Sequence, residues 1–218
     1  MSTVELAERW SALWGRLGAA GDGAAVFREL TRGYSEVGRA YHNLTHLREC
    51  LEEWSRVEEA VDREKIAFAL WFHDFVYDTK AKDNEERSAA IACEVASKAG
   101  LGRTFVEDVS RLILATKHAA GPQLLDEQVV VDIDLSILGK DPVRFDEHER
   151  QIREEYSWVP EDQFVVGRLS ILKSFADRPR IYSTERMYVK YEGKARRNLE
   201  ISVRRLEARS LSGGYDGR

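Results

Sequence analysis

The chain has 218 residues, of which 43% are hydrophobic and 33% charged, and this supports one large domain or two small ones. Its 33 basic and 38 acidic residues give a net charge of −5, which argues against a nucleic-acid platform because such surfaces are normally basic. No stretch resembles a signal peptide or approaches the roughly 20 apolar residues of a membrane-spanning helix. The two cysteines, Cys50 and Cys93, lack CxxC spacing and predict reduced, buried thiols in a cytoplasmic protein.

Apolar residues recur at helical spacing through most of the chain. The helical faces predicted in its first half span residues 4–17, 26–37, 44–54, 66–77 and 84–99. The run "GAAGDG" ends the first of these helices, and Gly100 suits the left-handed residue that ends the fifth. The chain has only four prolines, which also favours an all-helical protein.

Signals for helix starts continue in the second half of the chain. Thr104 followed by Glu107 matches a capping box, in which each side chain binds the backbone N–H of the other residue. The pair Asp141–Pro142 is typical of an N-cap followed by the first helical position. The sequences "PED" and "STE" predict two further helix starts.

The segment "QVVVDIDLSIL", residues 128–138, is ambiguous, because its β-branched residues permit a strand whereas its apolar positions also fit a helical face. We predict a helix here, since the sequence shows no partner strand elsewhere. The glycine-rich end, about 210–218, is predicted to fray. The sequence thus predicts an all-α fold with a single domain over residues 1–218 and about eight or nine helices.

Two polar motifs stand out from this helical background. "LWFHDFVYD" places His73 and Asp74 inside an apolar run, and burying an ionised carboxylate is costly unless it is paired or bound to a metal. "YHNLTH" places His42 and His46 four residues apart, which stacks them on one helical face. If the helix begins after His42, that imidazole instead approaches the site from the side.

A late motif, "VDIDLS", offers a further carboxylate ligand. Asp132 and Asp134 are two residues apart, so on a helix their side chains point to nearly opposite sides. One of them is therefore expected to face the metal, and the other is expected to be a solvent-facing acid. Spacing alone leaves open which is which.

The order of these motifs resembles the H…HD…D ligand order of the HD superfamily of metal-dependent phosphohydrolases. "YHNLTH" is similar to the opening motif of cyclic-nucleotide phosphodiesterases, and "DLS" resembles the segment holding their last aspartate ligand. From "YHNLTHL" through "FHDFVYD" and "DIDLSILG" to "IYSTE", the chain resembles small bacterial HD-domain phosphohydrolases. The resemblance implies an HD-type helical bundle with His42 as general acid and with His46, His73, Asp74 and Asp134 as metal ligands.

The chemistry implied is attack by a metal-bound hydroxide, with His42 protonating the leaving oxygen. The mixed set of nitrogen and oxygen ligands suits Mn, Fe, Co, Ni or Zn, with Mg also considered, and the second oxygen of Asp74 offers a bridge to a weakly bound second ion. Asp78, one helical turn after Asp74, is expected either to accept a hydrogen bond at this site or to be a surface acid. Lys117 is expected to neutralise a substrate phosphate or to stabilise a helix end. His118 is placed near the metal.

The predicted substrate is a small phosphorylated metabolite, with a nucleotide as the favoured class, and neither nucleic acid nor membrane is an expected partner. A homodimer, with a second copy of this chain as the partner, is also considered. One alternative is a regulatory module that keeps the metal and senses a nucleotide without cleaving it. An oxidative di-iron enzyme would need additional histidine ligands, for which only His118 is available, since His148 is interpreted as a surface residue. A purely structural helical protein would bind no metal.

Overall fold

The structure, a computed structural model, describes residues 2–58 and 62–213. The regular secondary structure of these residues is entirely helical, and turns and loops connect the helices. The α-helices of the described residues are α1 (Thr3–Arg16), α2 (Gly23–Gly33), α3 (Leu44–Trp54), α4 (Arg63–Phe72), α5 (Asn84–Lys98), α6 (Arg103–Ala115), α7 (Leu125–Asp134), α8 (Pro142–Glu155), α9 (Glu161–Ala176) and α10 (Glu185–Gly213), and a 3₁₀ helix covers Leu135–Gly139. The predicted all-α fold is confirmed. None of the described helices is both long enough and apolar enough to cross a membrane.

The chain divides into two compact units, Met1–Asp134 and Leu135–Arg218. The first unit holds α1 to α7, and the second holds the 3₁₀ helix and α8 to α10. The single HD-type domain over residues 1–218 stays a prediction. The predicted frayed end begins within α10, which continues to Gly213, and residues 214–218 lie outside the described residues.

The centre of the first unit is α4, because every residue from Ile66 to Phe72 is buried. A helix that is apolar on all sides must be surrounded by protein. Trp10 of α1 packs edge-on against Trp71, with ring centroids 5.3 Å apart. At the start of α4, the Asp62 carboxylate caps the helix by accepting the backbone N–H of Lys65 at 3.2 Å. The C-terminal end of this buried helix therefore delivers its next residues into the interior of the unit.

The second unit is organised by the long α10. The buried Glu192 carboxylate accepts backbone N–H groups from Ile181 and Tyr182, and the Tyr182 hydroxyl donates to the Leu135 carbonyl at 2.9 Å. The Asn198 amide donates to the Leu138 and Lys140 carbonyls, each at 2.9 Å. Side chains of α10 and of the loop before it thus satisfy the polar backbone of the other segments in this unit.

Several predicted helix boundaries are confirmed. Asp141 caps α8 by accepting the Arg144 N–H, and Pro142 is the first helical residue. Gly100, after α5, has a left-handed backbone with φ of 77°. The ambiguous segment 128–138 is helical, since α7 runs directly into the 3₁₀ helix.

Two local predictions are wrong. The capping box does not form, because α6 begins at Arg103 behind an N-cap at Gly102, and the Glu107 carboxylate pairs with Arg103 at 2.6 Å. The helix predicted over residues 66–77 ends at Phe72. Residues beyond that point form turns and loop up to α5.

Candidate metal centre

The four predicted metal ligands come together inside the first unit. His46 lies in α3, His73 is the C-cap residue of α4 with Asp74 directly after it, and Asp134 is the last residue of α7. Asn43 sets the start of α3, because its side chain accepts the backbone N–H of Thr45 at 2.7 Å. His46 is thereby placed in the first turn of α3, and it is buried.

The distances between the ligand atoms fit a single coordination sphere. His46 Nε2 lies 3.1 Å from His73 Nε2, 3.2 Å from Asp74 Oδ2 and 3.2 Å from Asp134 Oδ1. His73 Nε2 lies 3.1 Å from Asp74 Oδ2 and 3.6 Å from Asp134 Oδ1. Atoms held about 2.0–2.1 Å from one ion stand about 2.9–3.4 Å from their neighbours in octahedral or tetrahedral geometry. The residues therefore fit a divalent metal ion.

Hydrogen bonding at the edge of the centre presents lone pairs to its interior. His73 Nδ1 donates to the Leu70 carbonyl at 2.9 Å, so Nε2 of the neutral imidazole carries a lone pair that faces Asp74. Asp74 Oδ2 is itself buried, and the Nε2 atoms of His46 and His73 lie 3.2 and 3.1 Å from it; the lone pair on His73 Nε2 cannot donate to it. A buried polar atom without a partner is costly, and a cation between these groups removes that cost.

The charge balance of the centre calls for positive charge. Burial alone would raise the pKa of the Asp74 and Asp134 carboxyls, but the neighbouring histidines outweigh burial and hold both pKa values well below the ordinary range. Burial would likewise lower the pKa of His46 and His73, whereas the acidic groups around them raise both pKa values well above the ordinary range. Both carboxylates favour a positive neighbour, and a divalent ion meets the same demand as two protonated imidazoles.

His42 lies beside these ligands in the turn before α3, which begins at Leu44. This confirms the alternative in which His42 approaches the site from the side. Its half-buried imidazole stacks on the Tyr77 ring, with centroids 4.1 Å apart and ring planes 24° from parallel. The His42 and His46 ring centroids are 5.8 Å apart. His42 is thus a neighbour of the centre, held by an aromatic contact.

Asp78 does not share a helical face with Asp74, because α4 ends at Phe72 and Asp78 follows in an exposed turn. Its carboxylate accepts the Lys80 N–H at 2.9 Å, and its own N–H donates to the Asn84 side chain at 3.0 Å. The helical placement of Asp78 is therefore wrong. The observed contacts of its carboxylate stabilise the turn, and its role at the metal stays a prediction.

Lys117 follows α6 and lies at the surface. Its ammonium pairs with the Glu86 carboxylate and donates to the Lys82 carbonyl at 3.0 Å. Phosphate binding by Lys117 stays a prediction, and it would require the lysine to exchange the Glu86 pair for a substrate anion.

Two other assignments are wrong because buried surroundings were not apparent from the sequence. Asp132 is completely buried instead of solvent-facing, since the residues of α7 from Val129 to Ile133 are all buried. His148 is only 4% exposed, so it is not a surface residue. Its ring packs near Phe145 in the second unit, with centroids 5.9 Å apart.

Cys50 is a member of the centre that sequence reasoning missed. It lies one helical turn after His46, with Sγ 3.7 Å from His46 Nε2, and it is buried as predicted. The ligand atoms of His46, Cys50, His73 and Asp134 all lie within 4.8 Å of one another. Burial raises the pKa of the Cys50 thiol, but the histidines outweigh this effect and leave that pKa lowered. The four-residue spacing from His46 was the available signal. Cys93 is free like Cys50, but it is only half-buried.

His118 is placed near the centre, as expected. Its Nε2 lies 3.1 Å from Asp134 Oδ2, the oxygen that does not face His46. This contact orients the other oxygen, Oδ1, toward the imidazoles. His118 has a left-handed backbone with φ of 55°, which non-glycine residues seldom adopt.

Arg39 is a second residue that sequence reasoning missed. Its side chain is 2% exposed, and its guanidinium donates to the carbonyls of His42 (3.2 Å), Asp74 (2.6 Å) and Phe75 (2.7 Å). It also pairs with Glu36 at 3.2 Å. One buried arginine therefore joins the turn that carries His42 to the loop that carries Asp74. No pattern in the sequence around Arg39 predicts this connection.

The arrangement can hold a divalent ion between two imidazoles and two carboxylates, with a third imidazole at its side. Mixed nitrogen and oxygen donors of this kind occur in sites that bind first-row transition metals. Comparisons of the chain with family models, with curated proteins and with solved structures gave no match.

Proposed function

We propose that the protein is a metal-dependent phosphohydrolase of the HD type that acts on a small phosphorylated metabolite, with a nucleotide as the favoured class. The proposal rests on the convergence of His46, His73, Asp74 and Asp134, whose ligand atoms lie 3.1–3.6 Å apart in the pairs given above. Mn, Fe, Co, Ni, Zn and Mg are the candidate ions for this set. When bound, such an ion supplies an activated water and neutralises charge on a phosphoryl oxygen.

The chain's own residues support this role by holding the ligands in place. The Leu70 carbonyl fixes the tautomer of His73, and His118 contacts the outer oxygen of Asp134. Arg39 donates hydrogen bonds to the backbone carbonyls of Asp74 and Phe75 and so holds the loop that carries the Asp74 carboxylate. Preorganised ligands of this kind raise metal affinity, and loss of one outer contact typically costs about 10- to 100-fold.

His42 is proposed as the general acid. A protonated imidazole can donate the proton that the departing oxygen of a phosphate ester requires. The stacking contact with Tyr77 restricts the orientation of the His42 ring beside the ligands. Its ring centroid lies 5.8 Å from that of His46, so the imidazole stands beside the proposed ligands, where a proton donor to the leaving group is needed.

The experiment that tests the proposal is a panel of phosphate monoesters and diesters, including nucleotides, run with Mn, Mg, Co, Ni and Zn. We expect hydrolysis with at least one ion in the wild-type protein. His73→Ala and Asp74→Ala should lose both the bound metal and turnover, and full metal occupancy in either variant would contradict the assignment. A nucleotide that raises the melting temperature and stays intact with every ion would instead indicate the regulatory alternative.

The free thiols of Cys50 and Cys93 are in keeping with the proposed cytoplasmic location, where thiols stay reduced.

A further inference from the structure

The metal centre contains a sulfur atom that the hydrolase chemistry does not use. Cys50 lies on the same face of α3 as His46, and its Sγ is 3.7 Å from His46 Nε2 and 3.8 Å from Nδ1. Both residues are buried, at 1% and 2% exposure. The sulfur therefore faces the same dry interior as the ligand atoms and not the solvent.

The position of this sulfur fits a coordination shell. With a metal–sulfur bond of about 2.3 Å and a metal–nitrogen bond of about 2.0–2.1 Å, tetrahedral geometry puts the two atoms about 3.5–3.6 Å apart. The observed separation of 3.7 Å from His46 Nε2 matches that edge. The ligand atoms of His46, Cys50, His73 and Asp134 all lie within 4.8 Å of one another, so Cys50 joins such a shell after a shift of no more than about 1 Å toward the ion.

We infer that the centre offers two alternative ligand sets that share His46, His73 and Asp134. Asp74 completes the set for hard ions such as Mn²⁺ and Mg²⁺, and Cys50 completes it for soft ions such as Cd²⁺. The reason is chemical, since carboxylates prefer hard ions and thiolates prefer soft ones. This inference rests on the proposed function in one respect, because both require the same metal centre.

The two sets differ in what they leave open. Both sets supply four protein ligands, so a four-coordinate tetrahedral ion in the Cys50 set would fill its shell, whereas a six-coordinate Mn²⁺ or Mg²⁺ in the Asp74 set would keep two positions for water or substrate. Binding through Cys50 would form a metal–thiolate bond and release the thiol proton to solvent. The Cys50 set is thus an inactive form of the centre, and soft ions inhibit the enzyme by occupying it.

The test is a titration of the full-length, chelator-treated protein with Cd²⁺ and, separately, with Mn²⁺. Binding of Cd²⁺ to a thiolate produces an ultraviolet charge-transfer band, which is independent of activity. We expect this band in the wild-type protein and its loss in Cys50→Ser, with a fall of at least about 10-fold in Cd²⁺ affinity, because a direct ligand matters no less than an outer contact. Mn²⁺ affinity should change little in Cys50→Ser and should fall in Asp74→Asn.

Cys93→Ser is the matched control, because the chain has only two cysteines and Cys93 Sγ instead donates to the Val106 carbonyl at 3.6 Å. The band should persist in this variant, and that result assigns it to Cys50 even if Cys50→Ser fails to fold. A band that is absent from the wild-type protein, or that persists in folded Cys50→Ser, overturns the inference. Mn²⁺ binding without a Cd²⁺–thiolate band overturns only this inference, whereas failure of both ions to bind also removes the proposed hydrolase centre.

Discussion

Arg39 donates a hydrogen bond of 2.6 Å from Nη1 to the carbonyl oxygen of Asp74. The same guanidinium donates to the carbonyls of His42 and Phe75. A single buried side chain therefore holds the backbone of a proposed ligand and that of the proposed general acid. Because the contacts are made to the backbone, they depend on the shape of the guanidinium and not on the identity of the residues that it holds.

Arg39→Met is expected to weaken metal binding by about 10-fold, because the Asp74 loop loses its support. The buried carbonyls left without donors should also lower the free energy of unfolding, each by about 1–3 kcal/mol. Isothermal titration with Mn²⁺ and urea unfolding measure the two effects. Arg32→Met is the control, since Arg32 is an exposed arginine in a surface ion pair with Glu29, and it should change stability by less than about 0.5 kcal/mol. Equal Mn²⁺ affinity in wild type and Arg39→Met would contradict the supporting role.

His42→Ala should retain the metal and lose turnover, because His42 lies beside the ligands and is proposed to supply only a proton. Loss of a general acid typically lowers kcat by about 10²- to 10⁴-fold. Metal analysis of the purified variant, together with kcat on the best substrate of the panel, measures both properties. Loss of the metal from His42→Ala would show that His42 acts as a ligand and not as an acid.

Gly139→Ala should destabilise the second unit, because an added Cβ would stand 2.5 Å from Tyr191 Cβ and 2.8 Å from Tyr191 Cδ1. Overpacking of this kind costs about 1–3 kcal/mol. Gly167→Ala is the matched control, since it lies within α9 and a Cβ there meets nothing within 4 Å. The control should be stabilised by about 0.5–1 kcal/mol. Thermal melts measure whether Gly139→Ala lowers the melting temperature and Gly167→Ala raises it. A Gly139→Ala protein as stable as wild type would refute the predicted overlap.

Glu149 is expected to make the free energy of unfolding depend on pH in the acidic range. Burial raises the pKa of its carboxyl, but contacts with His148 and Arg168 outweigh burial and lower the pKa from 4.5 to about 2. A carboxyl with a lowered pKa in the folded state stabilises the protein above its unfolded pKa, and this stabilisation is lost as pH falls from 4.5 toward 2. The shift corresponds to about 3 kcal/mol. Ser202 also donates to this carboxylate at 3.0 Å.

Urea unfolding of wild type and Glu149→Gln at neutral and acidic pH tests this expectation. The variant should be less stable at neutral pH, and the difference should shrink below pH 4.5 as the wild-type carboxyl is protonated. Glu94→Gln is a suitable control, because Glu94 is exposed and forms a surface ion pair with Lys98 on the same helix. A difference between wild type and Glu149→Gln that is independent of pH would contradict the assigned charge.

The order of the helices was predictable because local periodicity and capping determine it, but the end of α4 was not. The aromatic run continues past Phe72, so the sequence pattern predicts more helix than forms. In the structure, the Tyr34 hydroxyl accepts the Asp74 N–H at 3.3 Å, and the Ser88 hydroxyl accepts the Val76 N–H at 3.0 Å. These partners are distant in sequence, and they satisfy backbone groups that a helix would otherwise satisfy within itself.

The proposed ligands were predictable because the order of the motifs identifies them, whereas their surroundings were not. Arg39 acts through backbone carbonyls, which leave no trace in residue type. Asp132 looked like a surface acid because a single helix cannot show that neighbours enclose it on all sides. Cys50 was within reach, since its spacing from His46 is that of a ligand pair on one helical face. Helical periodicity thus predicts the helices, whereas the contacts between polar side chains are apparent only in the folded structure.

Because the backbone at His118 is left-handed, the choice of substitution decides what a mutation at this position measures. Histidine is one of the few non-glycine residues enriched in this conformation, so alanine introduced there would remove the imidazole and would also suit the backbone less well, and the two effects would be measured together. His118→Asn tolerates that conformation and isolates what the ring contributes through Asp134, whereas His118→Gly would also relieve the backbone strain. A routine alanine scan would accordingly overstate the importance of His118 relative to every other histidine of the chain.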